Sequence, residues 1–295
     1  MKIVVHDTVT AMDELLRLPQ DERLEALRRL YAPVQKVVSK VAPVDLAQNH
    51  QTAGGFRIDG DDSRYLDAIR QLRDRDTLGD IETTLNAARD HLLAAAPAAR
   101  SADTVHVVLA LGDPDDHLFT VTNSGYLGFG GFPGAIQLFI WPNETSLAKI
   151  GYAAAHELHH NIRYSNVTWN PMTVTLGEQV VAEGLAEAFV RELAGPEAMG
   201  PWATTLTGDG LDAAYATLVA AIDTTGMENF PPYVHGDDTA RYLGLKPAGL
   251  PNFAGYAVGL RIVDAHTSAT GLTPAASVAL PASEVLSNAG IATGT

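Results

Sequence analysis

Cysteine is absent from the 295 residues of the chain. Disulfide bonds and thiolate metal sites are therefore excluded, and any metal ion in this protein must be held by nitrogen and oxygen atoms. The absence of cysteine leaves the redox compartment open.

Positive charge is scarce as well. Lysine and arginine contribute 20 residues against 35 aspartates and glutamates, which gives a formal net charge of −15 and an isoelectric point near 4.9. Nucleic-acid phosphates and anionic membrane surfaces repel a chain with this balance. We expect a soluble acidic protein with no nucleic-acid or membrane partner, and its oligomeric state stays open.

Long apolar runs are also missing. The chain starts MKIVVHDTVTAMDELL, with one lysine and three consecutive apolar residues before polar and acidic positions. A secretory signal needs a longer apolar run, and a membrane-spanning helix needs about 20 apolar residues, a length that no stretch reaches. We therefore expect a cytoplasmic location.

Residues 1–100 are predicted to be mainly helical, because apolar residues such as Leu24 and Leu27 recur every three or four positions among charged ones. The predicted elements are a short strand at Ile3–Val5 and helices at Asp13–Leu18, Asp21–Val38, Ser63–Arg75 and Leu78–Ala95. Pro97–Asp103 is the predicted boundary to a second region, residues 101–295.

The segment Gly54–Asp62, with three glycines and three aspartates, is predicted to be a turn or loop. A calcium loop is the sharper alternative, but the segment lacks the D-x-D-x-D-G spacing and the closing glutamate.

Strands are predicted after residue 100, where β-branched and apolar residues concentrate. They lie at Thr104–Leu111, Phe119–Thr122 and Ala135–Trp141. Between the last two lies GYLGFGGFPG (Gly125–Gly134), which contains five glycines among aromatic residues.

The run HELHH, which begins at His156, is the most informative motif of the chain. Such a run also arises by accident, so its context matters. Thr145–Ile162 contains no proline and repeats apolar residues at helical spacing, which predicts a helix. His156 and His160 then share one face, with Glu157 between them. His159 points away from that face, and we interpret it as structural or supporting.

A second helix is predicted at Leu176–Ala194. Thr175 and Glu178 form a capping box at its start, and Gly195 and Pro196 end it.

This second helix carries two carboxylates, Glu183 and Glu187, four residues apart in an otherwise apolar stretch. Their burial would carry a large desolvation cost unless a cation compensates it. A catalytic zinc ion usually takes three protein ligands and leaves the fourth position to water. We therefore predict Glu183 as the third ligand, and Glu187 as the acceptor of the free ring N–H of a zinc-bound histidine.

HELHH, followed after 22 residues by EGLAE, resembles the arrangement of the gluzincin metallopeptidases. The chain from about Gly125 onward is similar to the YjaZ-like family of predicted zinc-dependent proteases, a domain of unknown function. The matching segments are AAHELHHNIRY, LGEQVVAEGLAEAF, GYAVGLRIVD and TPAASVALPASEVLSNAG. The resemblance covers roughly the last 170 residues, and no motif of the first hundred matches.

The resemblance implies an α+β fold, with a mainly helical N-terminal region and a thermolysin-like zincin core made of a small mixed sheet and the active-site helices. It implies one Zn²⁺ per chain, bound by His156, His160 and Glu183, with Glu157 as the base in hydrolysis of peptide bonds. The expected partner is a peptide or unfolded protein substrate.

The oxyanion formed in such a reaction needs a further donor. Related zincins recruit a tyrosine or histidine from a later segment, and Tyr256 in GYAVG has the better claim because that segment matches the family. Tyr233 and His235 are the other candidates, and a tyrosine that only packs its ring is the alternative for each.

By analogy with zincins, the glycine-rich segment near residues 128–138 would bind an extended substrate by strand addition. A hairpin loop without a ligand is the alternative. Two other functions stay open: a zincin fold that holds peptides, chaperone-like, without cleaving them, and hydrolysis of a non-peptide amide or ester.

Overall fold

The structure, a computed structural model, describes residues 1–294. Within them the chain forms four β-strands and eleven α-helices. The strands are β1 (Lys2–Val5), β2 (Thr104–Leu111), β3 (Tyr126–Phe132) and β4 (Ala135–Ile140). The helices are α1 (Thr8–Leu16), α2 (Gln20–Val38), α3 (Ser63–Asp74), α4 (Thr77–Ala95), α5 (Glu144–Asn166), α6 (Leu176–Ala194), α7 (Pro201–Thr204), α8 (Gly208–Ala220), α9 (Asp237–Tyr242), α10 (Ala254–Thr270) and α11 (Ala282–Asn288).

The four strands form one mixed sheet in the order β1-β2-β4-β3. β1 and β4 both run parallel to β2, and β3 runs antiparallel to β4. The central strands β2 and β4 are buried along most of their length, which is why their sequences are almost continuously apolar. The predicted α+β class with a small mixed sheet is confirmed, as are three of the predicted strands.

The strand predicted at Phe119–Thr122 is wrong, because Leu118–Thr122 forms a π-helix. The β-branched composition favours a strand. Asp116, however, starts a helical turn: its Oδ1 accepts the N–H of Leu118 at 2.9 Å, and its carbonyl accepts the N–H of Thr120 at 2.8 Å. Local hydrogen bonding outweighs the propensity here.

The glycine-rich segment forms a hairpin rather than a free loop. β3 pairs with β4 from Tyr126 onward, with a register shift between Phe129 and Phe132. The chain then turns at Gly134, whose φ of +98° suits glycine and few other residues. β3 is thereby an edge strand of the sheet.

The helices of the first hundred residues confirm the helical prediction. α1 begins earlier than expected, at Thr8, because the side chain of Asp7 caps it by accepting the N–H of Thr10 at 3.0 Å. α2 continues through Pro33 without ending. α1, α2 and α3 all contact β2, and α2 also contacts β4.

The predicted loop at Gly54–Asp62 is present and closes around a side chain. The guanidinium of buried Arg23 donates to the carbonyl of Gly60 at 2.8 Å and to the carboxylate of Asp61 at 2.6 Å. The guanidinium of Arg23 thus binds several oxygen atoms of this loop.

Backbone contacts divide the chain into two compact units. The first contains Met1–Asp90 and Ser101–Asn161, and the second contains His91–Arg100 and the residues from Ile162 onward. The simple division at about residue 100 stays a prediction. No helix among the described residues has the length and apolar character needed to cross a membrane.

The second unit has its own hydrophobic core, to which α6, α8, α10 and α11 contribute. α6 and α10 cross at Gly184 and Gly259, where a Cβ atom added to Gly184 would lie 2.2 Å from the carbonyl carbon of Gly259. Only glycine permits this close approach.

Candidate metal centre

Helix α5 carries the HELHH run on its buried side. His156 and His160 are each 5% exposed, and Glu157 is 8% exposed. The Nε2 atoms of the two histidines lie 3.0 Å apart, and their ring centroids are 4.7 Å apart. The four-residue spacing therefore places both imidazoles on one face of the helix, as predicted, with their nitrogens close together. His159, interpreted as structural or supporting, is fully buried.

Helix α6 positions Glu183. The helix has the predicted limits: the hydroxyl of Thr175 accepts the N–H of Glu178 at 3.1 Å, and the chain turns at Gly195 with φ of +88°. Glu183 is 6% exposed. One donor atom each from His156, His160 and Glu183 lie within 4.8 Å of one another.

This donor set suits zinc. Two imidazole nitrogens and one carboxylate oxygen are typical ligands of a catalytic zinc ion, at distances of about 2.0–2.2 Å. The three donor atoms lie within 4.8 Å of one another, so small side-chain rotations would let all of them reach one ion. A buried carboxylate also favours a nearby cation because of its desolvation cost. The three residues could hold a metal ion.

Glu157 lies directly against the edge strand β3. A Cβ atom on Gly128 would come within 2.5 Å of Cγ of Glu157, and one on Gly130 within 2.3 Å of its carbonyl oxygen. A larger residue at either position would collide with Glu157. The two glycines therefore let the predicted base sit beside a strand edge that could bind an extended chain.

Asn161 fastens the same hairpin to α5, a role that the sequence did not reveal. Its Nδ2 donates to the carbonyls of Gly130 at 2.8 Å and Ala135 at 2.9 Å, and its Oδ1 accepts the N–H of Gly134 at 2.6 Å. Asn161 follows HELHH immediately and is buried. The sequence shows an asparagine directly after HELHH, but it does not show the partners of this side chain.

Two of the three predicted oxyanion candidates lie close together. The ring centroids of His235 and Tyr256 are 5.9 Å apart. Burial lowers the pKa of His235 below its usual value, and the negative charge of Glu183 opposes that shift, so His235 is within electrostatic reach of the predicted third ligand. Tyr233 packs, partly buried, against the apolar core.

A strained residue links these two candidates. Phe253 has φ of +62°, rare for a residue that is not glycine, and its N–H donates to the carbonyl of His235 at 2.8 Å. It immediately precedes α10, in whose first turn Tyr256 lies. His235 in turn ends a π-helix, Pro231–His235. Strain and π-helices both concentrate at functional sites.

Glu187 is almost fully buried and connects α6 to the segment after it. Its carboxylate accepts the N–H of Gly200 at 3.0 Å and the indole N–H of Trp202 at 2.6 Å. The Trp202 ring lies 6.1 Å from that of Tyr256. The predicted contact of Glu187 with a zinc-bound histidine stays a prediction.

Comparison with known proteins identifies the family of this chain. The family described as "Predicted Zn-dependent protease (DUF2268)" matches residues 90–287, and the chain belongs to this family. The uncharacterized protein YjfC of Bacillus subtilis is 40% identical over 57% of this chain and 56% of its own length. The uncharacterized protein YjaZ of the same organism is 30% identical over 52% of this chain and 56% of its own length.

The chain therefore spans just over half the length of these curated relatives. No solved structure matches the chain.

Proposed function

We propose that the protein is a zinc-dependent metallopeptidase with one zinc ion per chain. The observation that supports this most directly is the buried group of His156, His160 and Glu183, with Glu157 one residue after the first ligand. The family description suggests the same class.

The reaction would be hydrolysis of a peptide bond. Zinc, when bound, would supply Lewis acidity and a water of lowered pKa. Glu157 points too far round the helix to ligate the same ion as His156 and His160, so we assign it the role of accepting the proton of the attacking water. It would then pass this proton to the leaving amine.

Tyr256 is our proposed donor to the oxyanion, with His235 as the alternative. The negative charge of Glu183 acts on the pKa of His235, and the ring of Tyr256 lies 5.9 Å from that of His235. The hydrogen bond from such a donor would strengthen as negative charge develops on the carbonyl oxygen of the substrate. An interaction that is stronger in the transition state than in the ground state lowers the activation barrier.

The substrate we propose is an extended peptide or an unfolded protein segment that adds to β3. β3 is an edge strand, and Gly128 and Gly130 leave its backbone close to Glu157. Main-chain hydrogen bonds along such an edge bind a strand whatever its sequence. A protein that holds such segments without cleaving them is the second candidate, supported by the same edge.

The decisive experiment compares metal content and turnover in wild type, Glu157→Gln and Glu183→Ala. We expect about one zinc per chain in wild type and in Glu157→Gln, measured by mass spectrometry of the purified proteins. Hydrolysis of fluorescein-labelled β-casein should fall about 10²–10⁴-fold in Glu157→Gln, the usual contribution of a general base. Loss of a residue that only hydrogen-bonds to a metal ligand lowers metal affinity roughly 10–100-fold. Glu183→Ala removes a proposed ligand itself, so its zinc affinity should fall by more than that.

Each outcome is informative. Equal turnover by wild type and Glu157→Gln would refute the assignment of the base. Unchanged zinc in Glu183→Ala would move the third ligand elsewhere, with Glu187 next in line. A wild-type protein that binds zinc and casein but never cleaves it would establish the holding function instead.

A further inference from the structure

The edge strand β3 has few of the features that usually protect the open backbone edge of a sheet. Among the described residues it pairs only with β4, and its sequence YLGFGGF contains neither a charge nor a proline. Proteins commonly block such edges with lysine, proline or a covering segment, because open edges recruit other strands. β3 does have one feature that disturbs strand pairing, the irregularity between Phe129 and Phe132.

The two faces of β3 differ sharply. Gly128 and Gly130 point to Glu157 and present no side chain on that face. Leu127 and Phe129 point to the opposite face, because successive residues of a strand alternate. One face of the strand is therefore bare beside the predicted base, and the other is apolar.

Phe129 is only half covered on its own face. Its ring meets the buried ring of Phe139 edge-on, with centroids 6.2 Å apart, and Gln137 lies opposite it in the register. Even so, Phe129 is 49% exposed, more than any other aromatic residue of the strand. Because Phe129 belongs to the edge strand, a strand added to β3 would lie beside it.

We propose that Phe129 is a specificity-determining residue that selects extended segments with apolar side chains at alternate positions. This inference rests on the proposed function, since it concerns the strand that would be bound at β3. The substrate class is the kind of segment that a folded protein buries in a sheet and exposes on unfolding.

The selection follows from sheet geometry. In a strand added to β3, side chains directly across from Phe129 would lie about 4.5–5.5 Å from it, and those two residues away would still be within reach of an aromatic ring. An apolar side chain there removes the exposed half of Phe129 from water, whereas a polar one gains nothing. The net charge of −15 adds a general bias against acidic segments.

The test uses a fluorogenic ten-residue peptide in which each position is either leucine or serine. For wild type we expect leucine to be preferred about fivefold in kcat/KM at positions separated by two residues, and not at those between. Phe129→Ala should reduce this preference to nearly one. The matched control is Val121→Ala, another exposed apolar residue just before β3, which should leave the preference intact.

A second experiment measures peptide binding without cleavage, so that this inference can be tested separately from the proposed function. The same peptides are titrated by fluorescence anisotropy into Glu157→Gln and into Glu157→Gln combined with Phe129→Ala. If wild type cleaves nothing but Glu157→Gln shows the alternating preference, the peptidase function fails and the role of Phe129 stands. An equal preference with and without Phe129, or no peptide binding, overturns the inference.

Discussion

Two regions of this molecule bury polar side chains, and they do so differently. In the first unit, the hydroxyl of Tyr31 and Nδ1 of His50 lie 2.7 Å apart, and the side chain of Gln137 hydrogen-bonds to Tyr31. Burial lowers the pKa of His50 to about 4, so this network is neutral at pH 7. At α5 and α6, by contrast, the buried residues include those of the candidate metal site and an ion pair.

The difference lies in what compensates each group. Neutral groups satisfy one another by hydrogen bonds alone. A buried charge is stabilised by neutral hydrogen-bond donors, as at Glu187, or by an opposite charge. Arg163 has the opposite charge: it lies 2.7 Å from Glu178 and also donates to the carbonyls of Val278 at 3.3 Å and Leu280 at 2.9 Å. Glu183 instead has two imidazoles beside it, which ligate a metal in their neutral form. Burial alone thus does not indicate a metal site, whereas a buried carboxylate close to two imidazoles makes a candidate for one.

The largest effect should come from breaking the buried ion pair. Arg163→Met leaves the carboxylate of Glu178 buried without its cationic partner, which typically costs about 3–5 kcal/mol. We expect a loss of that size in the free energy of unfolding, measured in urea. Because Arg163 lies one helical turn after His160, zinc content should also fall.

The control is the double variant Arg163→Met with Glu178→Met. Replacing both charges by apolar side chains removes the uncompensated carboxylate, so most of the stability should return. If the double variant is as unstable as the single one, the guanidinium acts through its hydrogen bonds to the carbonyls of Val278 and Leu280 and not through Glu178.

Lowering the pH should destabilise the folded protein through His50, which belongs to the neutral hydrogen-bonded group with Tyr31 and Gln137. The folded-state pKa of His50, about 4, is below its ordinary value of 6.5, so the unfolded chain binds the proton more readily. The associated stability is complete above about pH 6.5 and is lost as the pH falls towards 4, up to about 3 kcal/mol.

The measurement is the unfolding free energy of wild type and His50→Phe between pH 7 and pH 4. Other groups titrate in both proteins, so the difference between the two curves isolates His50. Wild type should lose about 3 kcal/mol more than the variant. If the unfolding free energies of the two proteins fall in parallel with pH, His50 takes up a proton in the folded state without a cost in stability. The group around Tyr31 and His50 would then not depend on being neutral.

Local signals predicted much of the fold and of the candidate site. The limits of α6 follow from the cap at Thr175 and the glycine at Gly195, and the histidine pair follows from a spacing of four. Each of these signals lies within one helix, and the sequence displays such signals directly. The role of Glu183 as third ligand stays a prediction, and the structure adds that its carboxylate lies near both histidines.

The residues that sequence reasoning missed act over long distances along the chain. Asn161 bonds to carbonyls 26 and 31 residues away, and Arg163 to carbonyls 115 and 117 residues away. Nothing in the neighbouring letters records such partners. The error at Phe119–Thr122 had another origin, since a β-branched run gave way to a turn started by Asp116.

The smallest effect should come from an exposed pair that also joins two helices. Arg191 on α6 donates from Nη1 to the carboxylate of Asp264 on α10 at 3.2 Å, and both side chains are partly open to water. Water screens this attraction, so Arg191→Met should cost less than about 1 kcal/mol in the same urea assay used for Arg163→Met. Methionine keeps an apolar stem of similar reach, so the variant removes charge with little loss of packing. A cost above about 2 kcal/mol would show that connecting two helices matters more than burial, and the large effect expected at Arg163 would then need another explanation than its burial.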